Sequence, residues 1–382
     1  MTLTFITNYM TPHQKPLCDE LYKQLGDDFH FIAVEKMDEE RVKMGWGEDM
    51  DDAPYAFFND DDYDRSNRLM RESDVVICGS IHQLYIEERL SLHKPTFRYF
   101  ERLYKKGRLY GLNPSSLSRK KKEHAAYKND PVYLLCAGAY TAGDFALSGS
   151  YPGKKYRFGY FPRTIEFKDG ELKDLKNNLV PEILWSGRML DWKHPEAAVF
   201  TALHLRKNGI PFHMTIIGDG ECRKNVELTI QEHNLYEDIE IKDFMKPEEV
   251  REIMARSDIY LMTSDTNEGW GAVVNEAMNA GCAVVASNAA GSVPYLIKHE
   301  ENGLIYKSGD FKQLGYFTAK LCLDKALREK LGNAAENTIR SLWNEKETAK
   351  RLINTCENLL KNNGSGDIFL YEDGPMSKAP EL

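Results

Sequence analysis

Short apolar runs alternate with amphipathic stretches along most of the chain. Apolar runs of about four to eight residues that end at Gly, Pro or polar residues are typical of buried parallel strands. Such runs occupy residues 2–9, 29–34, 74–80, 94–100, 132–139, 156–161, 183–186, 213–217, 239–244, 259–262 and 282–286. Helical patterns lie between them, at 17–25 and 194–207, and two longer ones follow at 311–330 and 334–360. Strands that alternate with helices predict an α/β protein with parallel sheets.

The composition changes once, in the middle of the chain. Residues 163–181 are charged and contain the run K-D-G-E-L-K-D-L-K-N-N, which is typical of a connection between domains. The sequence therefore predicts a first domain over residues 1–165 and a linker over 166–180. A second domain is expected over 181–340, and a closing helix with a tail over 341–382.

Length and composition exclude several classes of protein. A chain of 382 residues with 42% hydrophobic and 29% charged residues is long enough for two ordinary globular domains. Its net charge of −9 argues against general nucleic-acid binding. No apolar run approaches the roughly 18 residues of a membrane span, and residues 1–10 lack the basic start of a signal peptide. The seven cysteines are scattered without a C-x-x-C pair, which fits a reduced, cytoplasmic setting.

The stretch 258–286 carries the most specific pattern. An apolar strand ends at a polar loop, a Gly-rich turn leads into a short helix, and Gly281 precedes a second apolar strand. A strand, turn, helix and strand in this order predict a parallel crossover unit. The N-terminus of its helix then lies at the carboxyl edge of the sheet, where open α/β folds bind ligands.

The chemistry of that turn points to a diphosphate. Gly269 and Gly271 leave the amides of the first helical turn, around Trp270 and Ala272, uncovered, and those amides carry the positive end of the helix dipole. Glu268 precedes the helix and Glu276 lies within it, so one carboxylate is expected toward a sugar and the other toward a nucleoside. The alternative is a core helix of an unrelated α/β domain that carries two incidental glutamates.

Two cations follow another predicted strand end. Gly187 and Arg188 come directly after the strand at 183–186, and Lys193 lies five residues beyond Arg188. Arg offers paired N–H donors to phosphate and Lys a compact point charge. This position predicts a second set of diphosphate contacts.

These residues together resemble a known family. Glu268…Glu276, the following A-M-N-A-G-C-A-V-V-A-S and the later G-S-V-P-Y-L-I…N-G-L-I-Y are similar to the retaining GT-B glycosyltransferases of family 4. The resemblance implies two Rossmann-like, doubly wound domains that face one cleft. It also implies that Glu276 holds the ribose of a nucleotide sugar, that Glu268 lies against the donor sugar, and that Arg188 and Lys193 bind the donor diphosphate. Tyr295 departs from the glutamate usual after the proline.

The resemblance assigns further donor contacts in the second domain. Gly218 and Gly220 match a G-D-G turn that lines the nucleotide side of the cleft, and Phe244 and Met245 match a strand-to-helix turn that lies against the base. In this architecture the last helix returns to the first domain.

The acceptor side is less regular. Asn8, Tyr9, His13 and Gln14 stand where the family has a glycine-rich acceptor loop. His13 is either an acceptor contact or base, or a loop histidine with a structural role.

The family also places a histidine against the donor sugar at a strand end where this chain has none. Glu101 is the first substitute and His82 the second.

An acid-rich stretch suggests a different family of enzymes. Residues 47–64 contain eight Asp or Glu and no Lys or Arg, and Asp60-Asp61-Asp62 resembles the D-x-D metal site of GT-A glycosyltransferases. Such a motif ends a strand, whereas this run is expected in a polar loop, where acidic runs are usually solvated. No metal site is therefore predicted.

A basic stretch in the first domain stands out in an acidic protein. Residues 94–128 carry eleven Lys or Arg against two Glu, and aromatic residues are interleaved with them. Anionic lipid attracts such surfaces, and aromatic side chains favour the membrane interface. The stretch indicates either peripheral docking at an anionic membrane or an ordinary solvated surface.

The predicted function is transfer of a sugar from a UDP- or GDP-linked donor to a hydroxyl of a saccharide or lipid-linked saccharide. By resemblance, it proceeds with retention and serves capsule or exopolysaccharide synthesis. Fixed protein charge takes the place of a metal, and no cofactor is expected. The expected location is the cytoplasm or the inner face of the plasma membrane. Two alternatives remain, a nucleotide-sugar epimerase of the same architecture and a non-catalytic nucleotide-sugar-binding module.

Overall fold

The chain folds into two compact units. The computed structural model describes residues 1–42, 50–362 and 367–382. The first unit combines Met1–Arg163 with Trp343–Leu382, and the second is Thr164–Leu342. The second unit is thus inserted, in sequence, between the two parts of the first.

The first unit is built on a parallel sheet flanked by helices. Its strands are β1 Leu3–Thr7, β2 Phe29–Ala33, β3 Ala56–Phe58, β4 Val75–Cys78, β5 Thr96–Phe100, β6 Val132–Ala137 and β7 Lys155–Phe158. They run parallel in the order β3-β2-β1-β4-β5-β6-β7. The helices are α1 Lys15–Leu25, α2 Glu39–Arg41, α3 Tyr63–Glu72, α4 Leu84–Ser91, α5 Pro114–Glu123 and α6 Thr141–Ala146. All residues of β1, β4 and β6 are buried, as expected for strands covered by helices on both faces.

The second unit repeats this plan. Its strands are β8 Glu182–Ser186, β9 His213–Ile217, β10 Ile239–Lys242, β11 Ile259–Met262, β12 Ala283–Ser287 and β13 Leu304–Tyr306. They run parallel in the order β10-β9-β8-β11-β12-β13. The helices are α7 Glu171–Leu175, α8 Glu196–Lys207, α9 Arg223–Glu232, α10 Pro247–Arg256, α11 Val273–Asn279, α12 Val293–Leu296, α13 Phe311–Leu323 and α14 Lys325–Ser341. The α/β class with parallel sheets is confirmed.

Each sheet has one point where the strand order reverses. In the first unit the chain builds outward from β1 on one side and then continues from β4 on the other. In the second unit the same change occurs between β8 and β11. Ligands of open α/β sheets bind at such switch points, beyond the carboxyl ends of the strands. A ligand site is therefore expected in the loops that follow β1, β4, β8 and β11.

The end of the chain is an integral part of the first unit. Helix α15, Glu345–Lys361, packs against α1. Beyond it the chain runs antiparallel to β7, with hydrogen bonds from Arg157 N to Ser377 O at 2.7 Å and from Ala379 N to Lys155 O at 2.9 Å. Residues 376–379 thus cover an edge of the sheet that the sequence pattern leaves open. The segment expected to be a tail is, in this part, packed structure.

Two expected helices are wrong in their bounds. Residues 311–330 and 334–360 form three helices, because two polar residues start new ones. The Asp324 side chain accepts from Leu327 N at 2.9 Å and begins α14. The Asn344 side chain accepts from Glu347 N at 2.8 Å and begins α15. Asp324 and Asn344 are N-caps, which the sequence analysis did not predict.

Two other segments also differ from expectation. The stretch 166–180 contains helix α7 and lies in the second unit. The Asp60–Asp62 run lies in the turn between β3 and α3, as expected, but it begins only two residues after the last residue of the strand, so the contrast with a motif at a strand end does not hold. Asp62 caps α3 by accepting from Arg65 N at 3.0 Å. Residues 47–49 of the acid-rich stretch lie outside the described residues.

Candidate functional site

The loops after β8 and β11 are joined at the switch point of the second sheet. Asp265 N donates to Trp192 O at 2.9 Å. The Thr263 hydroxyl donates to Lys193 O at 2.5 Å and accepts from the Trp185 indole N–H at 2.7 Å. Because β8 and β11 are neighbours, these bonds fix the two loops as one surface at the carboxyl edge.

A half-buried ion pair lies where the loops meet. The Lys193 ammonium is 2.7 Å from Glu268 Oε2, and their side chains are only 17% and 12% exposed. The Ser264 hydroxyl donates to the same carboxylate oxygen at 3.0 Å, and the ammonium also lies 4.6 Å from the Trp192 ring centroid. The structure therefore places two of the predicted site residues in direct contact. The ammonium has three N–H donors, so it is able to serve Glu268 and a further anion together.

The turn before α11 requires glycine. Gly271 has φ +90°, and a Cβ there would approach Met262 Cε to 2.7 Å and Glu268 Cγ to 3.3 Å. Within the described part of the chain, the backbone N–H groups of Gly271 and Ala272 donate no hydrogen bond. Two amide donors at the start of a helix thus remain available beside the ion pair.

Trp270 has a structural role in the same turn. Its side chain is 1% exposed and its indole N–H donates to Asn275 Oδ1 at 2.9 Å. Its carbonyl accepts from Ser292 N at 2.9 Å. The adjacent Gly269 is also buried. The Trp270 side chain therefore packs into the core and holds the turn in place. Only the backbone of Trp270 is suited to contact a ligand.

Arg188 is an exposed cation on the loop after β8. Its guanidinium forms no ion pair or side-chain hydrogen bond with any residue that the structure describes. Lys193 on the same loop is paired with Glu268. Arg188 therefore carries the uncompensated positive charge of this loop.

Glu276 has a partner that the sequence analysis missed. Arg251, on α10, lies 3.2 Å from Glu276 Oε1 through both Nε and Nη2, and the side chains are 19% and 14% exposed. The pair joins residues 25 positions apart on two different helices. No spacing rule within one helix could have found it. Both predicted carboxylates thus sit half-buried against a cation.

Gly218 and Gly220 lie where the loop after β9 crosses the loop after β8. Gly187 N donates to Ile217 O at 3.0 Å and Met189 N to Asp219 O at 2.7 Å. Gly218 has φ +140°, and a Cβ there would come within 1.9 Å of the Gly187 carbonyl oxygen. The two glycines are required by this close approach of backbones.

We expect Gly218→Ala to lower the free energy of unfolding by about 3 kcal/mol or more, from backbone strain and from overpacking against the Gly187 carbonyl oxygen. Gly209→Ala is the matched control, since its φ is +65° and no atom lies within 4 Å of the added Cβ. That variant should lose only about 1 kcal/mol. Denaturant unfolding followed by tryptophan fluorescence measures both, and equal losses would contradict the crowding argument.

The remaining donor-side candidates follow β10. Phe244 is 48% exposed and Met245 is half-buried. Arg223 in α9 connects this region to the glycine turn, because it donates to Gly218 O at 3.2 Å and lies 2.7 Å from Asp243. An exposed aromatic ring beside this turn offers a flat apolar face for a base.

In the first unit, the structure gathers two of the four candidates around Tyr160. The Tyr160 hydroxyl donates to Glu101 Oε1 at 3.0 Å, and the His13 ring lies 6.4 Å from the Tyr160 ring. Burial, followed by the neighbouring Tyr99 and Glu101, raises the pKa of Tyr160 well above its usual value. Tyr160 therefore stays a neutral hydrogen-bond donor that orients the Glu101 carboxylate. The sequence analysis did not single out Tyr160.

Asn8 and His82 lie on the two loops at the switch point of the first sheet. Asn8 Oδ1 accepts from the Thr7 hydroxyl at 3.1 Å. His82 is exposed, and its Nδ1 accepts from Leu84 N at 3.4 Å. The loops after β1 and β4 are close, since a Cβ on Gly79 would come within 2.4 Å of Thr7 Oγ1. Both side chains are thus at the sheet edge, but no bond joins them to Glu101 or His13.

Two features are absent from the part of the chain that the structure describes. No group of three or more His, Cys, Asp or Glu side chains is arranged to hold a metal ion. Among the same residues, no helix combines the length and the apolar character needed to cross a bilayer.

Comparison with known sequences finds a similarity that lies mainly in the second unit. Residues 169–338 match the model of the family Glycosyl transferases group 1. The chain is 27% identical over 208 residues to the amylovoran biosynthesis glycosyltransferase AmsK of Erwinia amylovora. The aligned region covers 53% of this chain and 50% of that protein. It is 23% identical over 262 residues to the alpha-D-kanosaminyltransferase of Streptomyces kanamyceticus, covering 66% and 64%. Each match thus spans less than two thirds of the relative.

Comparison with solved structures extends to both units. HepE of Anabaena, solved in complex with UDP, matches with a TM-score of 0.70 over 94% of this chain and 100% of its own, at 15% identity. Sucrose-phosphate synthase of Thermosynechococcus elongatus matches with a TM-score of 0.64 over 94% and 99%, also at 15% identity. The predicted GT-B fold, with two Rossmann-like domains, is therefore confirmed.

Proposed function

We propose that this chain is a retaining glycosyltransferase. It moves a sugar from a nucleotide-diphosphate sugar to a hydroxyl of a saccharide or lipid-linked saccharide, without a metal ion. The donor binds to the second unit, at the loops after β8 and β11. The first unit provides the acceptor side.

One observation carries this proposal more than any other. Two half-buried carboxylates, Glu268 and Glu276, stand before and within α11, and each is held by a cation from a different element, Lys193 and Arg251. Between the two glutamates in the sequence are Gly271 and Ala272, whose backbone N–H groups are available. Charged pairs of this kind are costly to bury, so they favour a functional role over simple packing.

The same groups suit departure of a nucleoside diphosphate. As the bond from the sugar to the β-phosphate breaks, negative charge grows on the diphosphate. Arg188, the two amides and the spare donors of Lys193 are available to receive it, in the manner of an oxyanion site. Glu268 then lies beside the sugar and favours positive charge on its ring. The acceptor hydroxyl loses its proton to the departing phosphate oxygen, so no separate base is required.

The carboxylate separation needed by glycosidases does not apply here. A retaining glycosidase places two carboxylates on either side of one bond, about 5 Å apart, and one of them attacks the sugar. Here Lys193 lies 2.7 Å from Glu268 Oε2. A carboxylate held by an ammonium is a weaker nucleophile and a better electrostatic partner. This supports an orienting role for Glu268.

A UDP-sugar is the preferred donor and polysaccharide synthesis the preferred setting. HepE, which shares the fold, was solved with UDP. AmsK, which shares sequence over about half of its length, is named for amylovoran biosynthesis. For the acceptor side, Glu101 is favoured because the Tyr160 hydroxyl orients it. His13, Asn8 and His82 remain acceptor-side candidates at the same sheet edge.

Thermal unfolding of the full chain with UDP, GDP and ADP, with and without EDTA, tests the proposal. One nucleoside diphosphate should raise Tm by several degrees, because a ligand at about 100 times its Kd adds about 2.7 kcal/mol, and EDTA should not change the shift. Arg188→Ala should reduce the shift, whereas Lys207→Ala, which removes an exposed cation elsewhere in the second unit, should not. The absence of any shift, or equal shifts for both variants, would contradict the proposed donor site.

A further inference from the structure

The connection between β5 and β6 forms a surface that sugar transfer does not require. We call it the docking surface, and it comprises residues 105–123, that is, the three residues before the turn Arg108–Leu112, the turn itself, Asn113 and helix α5. No residue of α5 is buried. The helix therefore contributes no fully buried side chain to the core of the first unit, and six of its ten residues are exposed.

Large apolar side chains project from the turn. Leu109, Tyr110 and Leu112 are 83%, 65% and 56% exposed. Single exposed apolar residues are ordinary, but three within four positions form a local patch. Exposure of such a patch to water is unfavourable, so its burial against a partner lowers the free energy.

Cations without compensating acids stand on both sides of this patch in the sequence. Lys106, Lys121 and Lys122 are exposed and form no ion pair with any residue in the described ranges. No acidic residue occurs between Glu101 and Glu123. Lysines at the end of α5 suit the helix dipole, but the dipole explains neither Lys106 nor the apolar turn.

The docking surface is fastened to the domain at both ends. At the first, Gly111 lies against the Tyr104 ring, since a Cβ on Gly111 would come within 2.5 Å of that ring, and Tyr104 N donates to Asp144 Oδ2 at 3.1 Å. At the second, the buried His124 ring lies 2.7 Å from the Tyr151 hydroxyl through Nδ1. Burial, and then Arg98, lowers the pKa of His124 to about 2, so this anchor is uncharged at neutral pH.

We infer that this docking surface binds the anionic headgroup layer of a lipid bilayer. Leu109, Tyr110 and Leu112 would enter the interface while Lys106, Lys121 and Lys122 meet the lipid phosphates. Exposed apolar side chains flanked by lysines are the combination that interfacial binding uses. The net charge of −9 means that the rest of the chain repels such a surface, so attachment is confined to this patch and sets one orientation.

The position of the surface agrees with this inference. It begins four residues after Glu101, and Lys105 at its start lies 3.3 Å from Glu101 Oε2. Docking therefore brings the carboxyl edge of the first sheet next to the lipid. An acceptor anchored in that lipid would be presented to the edge where the acceptor-side candidates lie. Only this last consequence rests on the proposed function.

Co-sedimentation of the full chain with vesicles tests the inference. We expect pelleting with vesicles of phosphatidylcholine mixed with phosphatidylglycerol, none with phosphatidylcholine alone, and partial release when salt is raised. The triple variant Lys106→Ala, Lys121→Ala, Lys122→Ala should bind about 100-fold more weakly, at about fivefold per lysine. The variant Leu109→Ser, Tyr110→Ser, Leu112→Ser should lose the salt-resistant part of the binding.

A matched control distinguishes the position of the substituted lysines from the change in net charge. Lys207→Ala, Lys312→Ala, Lys330→Ala removes three exposed lysines of the second unit and changes the net charge equally. It should bind vesicles as the wild type does, and all variants should keep the wild-type Tm and nucleotide-induced shift. Equal loss in both lysine variants, or no pelleting of the wild type with anionic vesicles, would overturn the inference. Binding to polyglutamate without binding to vesicles would do so as well, and would assign the surface to an acidic protein.

Discussion

Glu268→Gln should lower kcat about 100-fold while raising the donor KM much less, because one preorganised charged group at a reacting centre is worth about 3 kcal/mol. The amide keeps the shape of the side chain but removes the charge that faces the donor sugar. It also releases Lys193, which is held at 2.7 Å in the native pair. Steady-state kinetics with saturating acceptor and varied donor separates the two parameters.

The control for this variant is a second short Lys–Glu pair. Lys155 lies 2.6 Å from Glu381 in the first unit, and Glu381→Gln should leave kcat unchanged. The double variant Lys193→Ala, Glu268→Gln tests whether the two residues act as a unit. If they do, it should be little worse than the more damaging single variant. Near-wild-type kcat for Glu268→Gln would remove Glu268 from the reaction.

Glu276→Gln and Arg251→Met should both raise the donor KM, by about tenfold or more for Glu276→Gln, since a hydrogen bond to a charged group contributes about 1.5–3 kcal/mol. Arg251 acts by positioning Glu276 through its two contacts at 3.2 Å. Arg251→Lys should therefore recover part of the donor affinity. Donor KM and isothermal titration with the nucleoside diphosphate are the measurements, and kcat should change less than KM.

A comparable pair serves as the control for the second variant set. Arg351 on α15 lies 2.8 Å from Glu347, with side chains 12% and 25% exposed, close to the burial of Arg251 and Glu276. Glu347→Gln should leave the donor KM at its wild-type value. If Glu276→Gln also does so, Glu276 does not contact the donor, and its ion pair with Arg251 is structural.

The strand–turn–helix unit around Gly271 was predictable because its signals are local. Apolar runs give β11 and β12, and Gly281, with φ +67°, ends the helix as the sequence indicates. Gly271 is required by contacts with Met262 and Glu268, all within ten residues of sequence. Where the chemistry and the fold depend on neighbours in sequence, the pattern is sufficient.

Arg251 and Tyr160 could not be predicted in the same way. Arg251 reaches Glu276 only because α10 packs beside α11, and Tyr160 reaches Glu101 across 59 positions of sequence. Both contacts are products of the sheet order, which the pattern of apolar runs does not specify. The contact of Tyr160 with Glu101, one of the proposed acceptor-side residues, is of this kind, so sequence patterns gave little guidance there.

The pairing of residues 376–379 with β7 could not be predicted for a related reason. The segment 376–379, which pairs with β7, has no strand-like alternation of apolar and polar residues. Strand β3, at the other edge of the sheet, was missed because three residues are too few to form an apolar pattern. The segment 376–379 pairs with β7 because Met376, Ser377 and Ala379 are buried there. Burial in the tertiary structure, not local propensity, selects that pairing.

The pairing of β7 with residues near the end of the chain has a consequence for biosynthesis. A ribosome delivers Lys155–Phe158 long before it delivers Met376–Ala379, and the whole inserted unit is made in between. During that interval the border of the first sheet offers unmatched N–H and C=O groups to other chains. The inserted unit, whose residues are all contiguous, is able to fold before the unit that starts the polypeptide. Native closure of the N-terminal sheet is therefore possible only after the inserted unit and residues 376–379 have been synthesised.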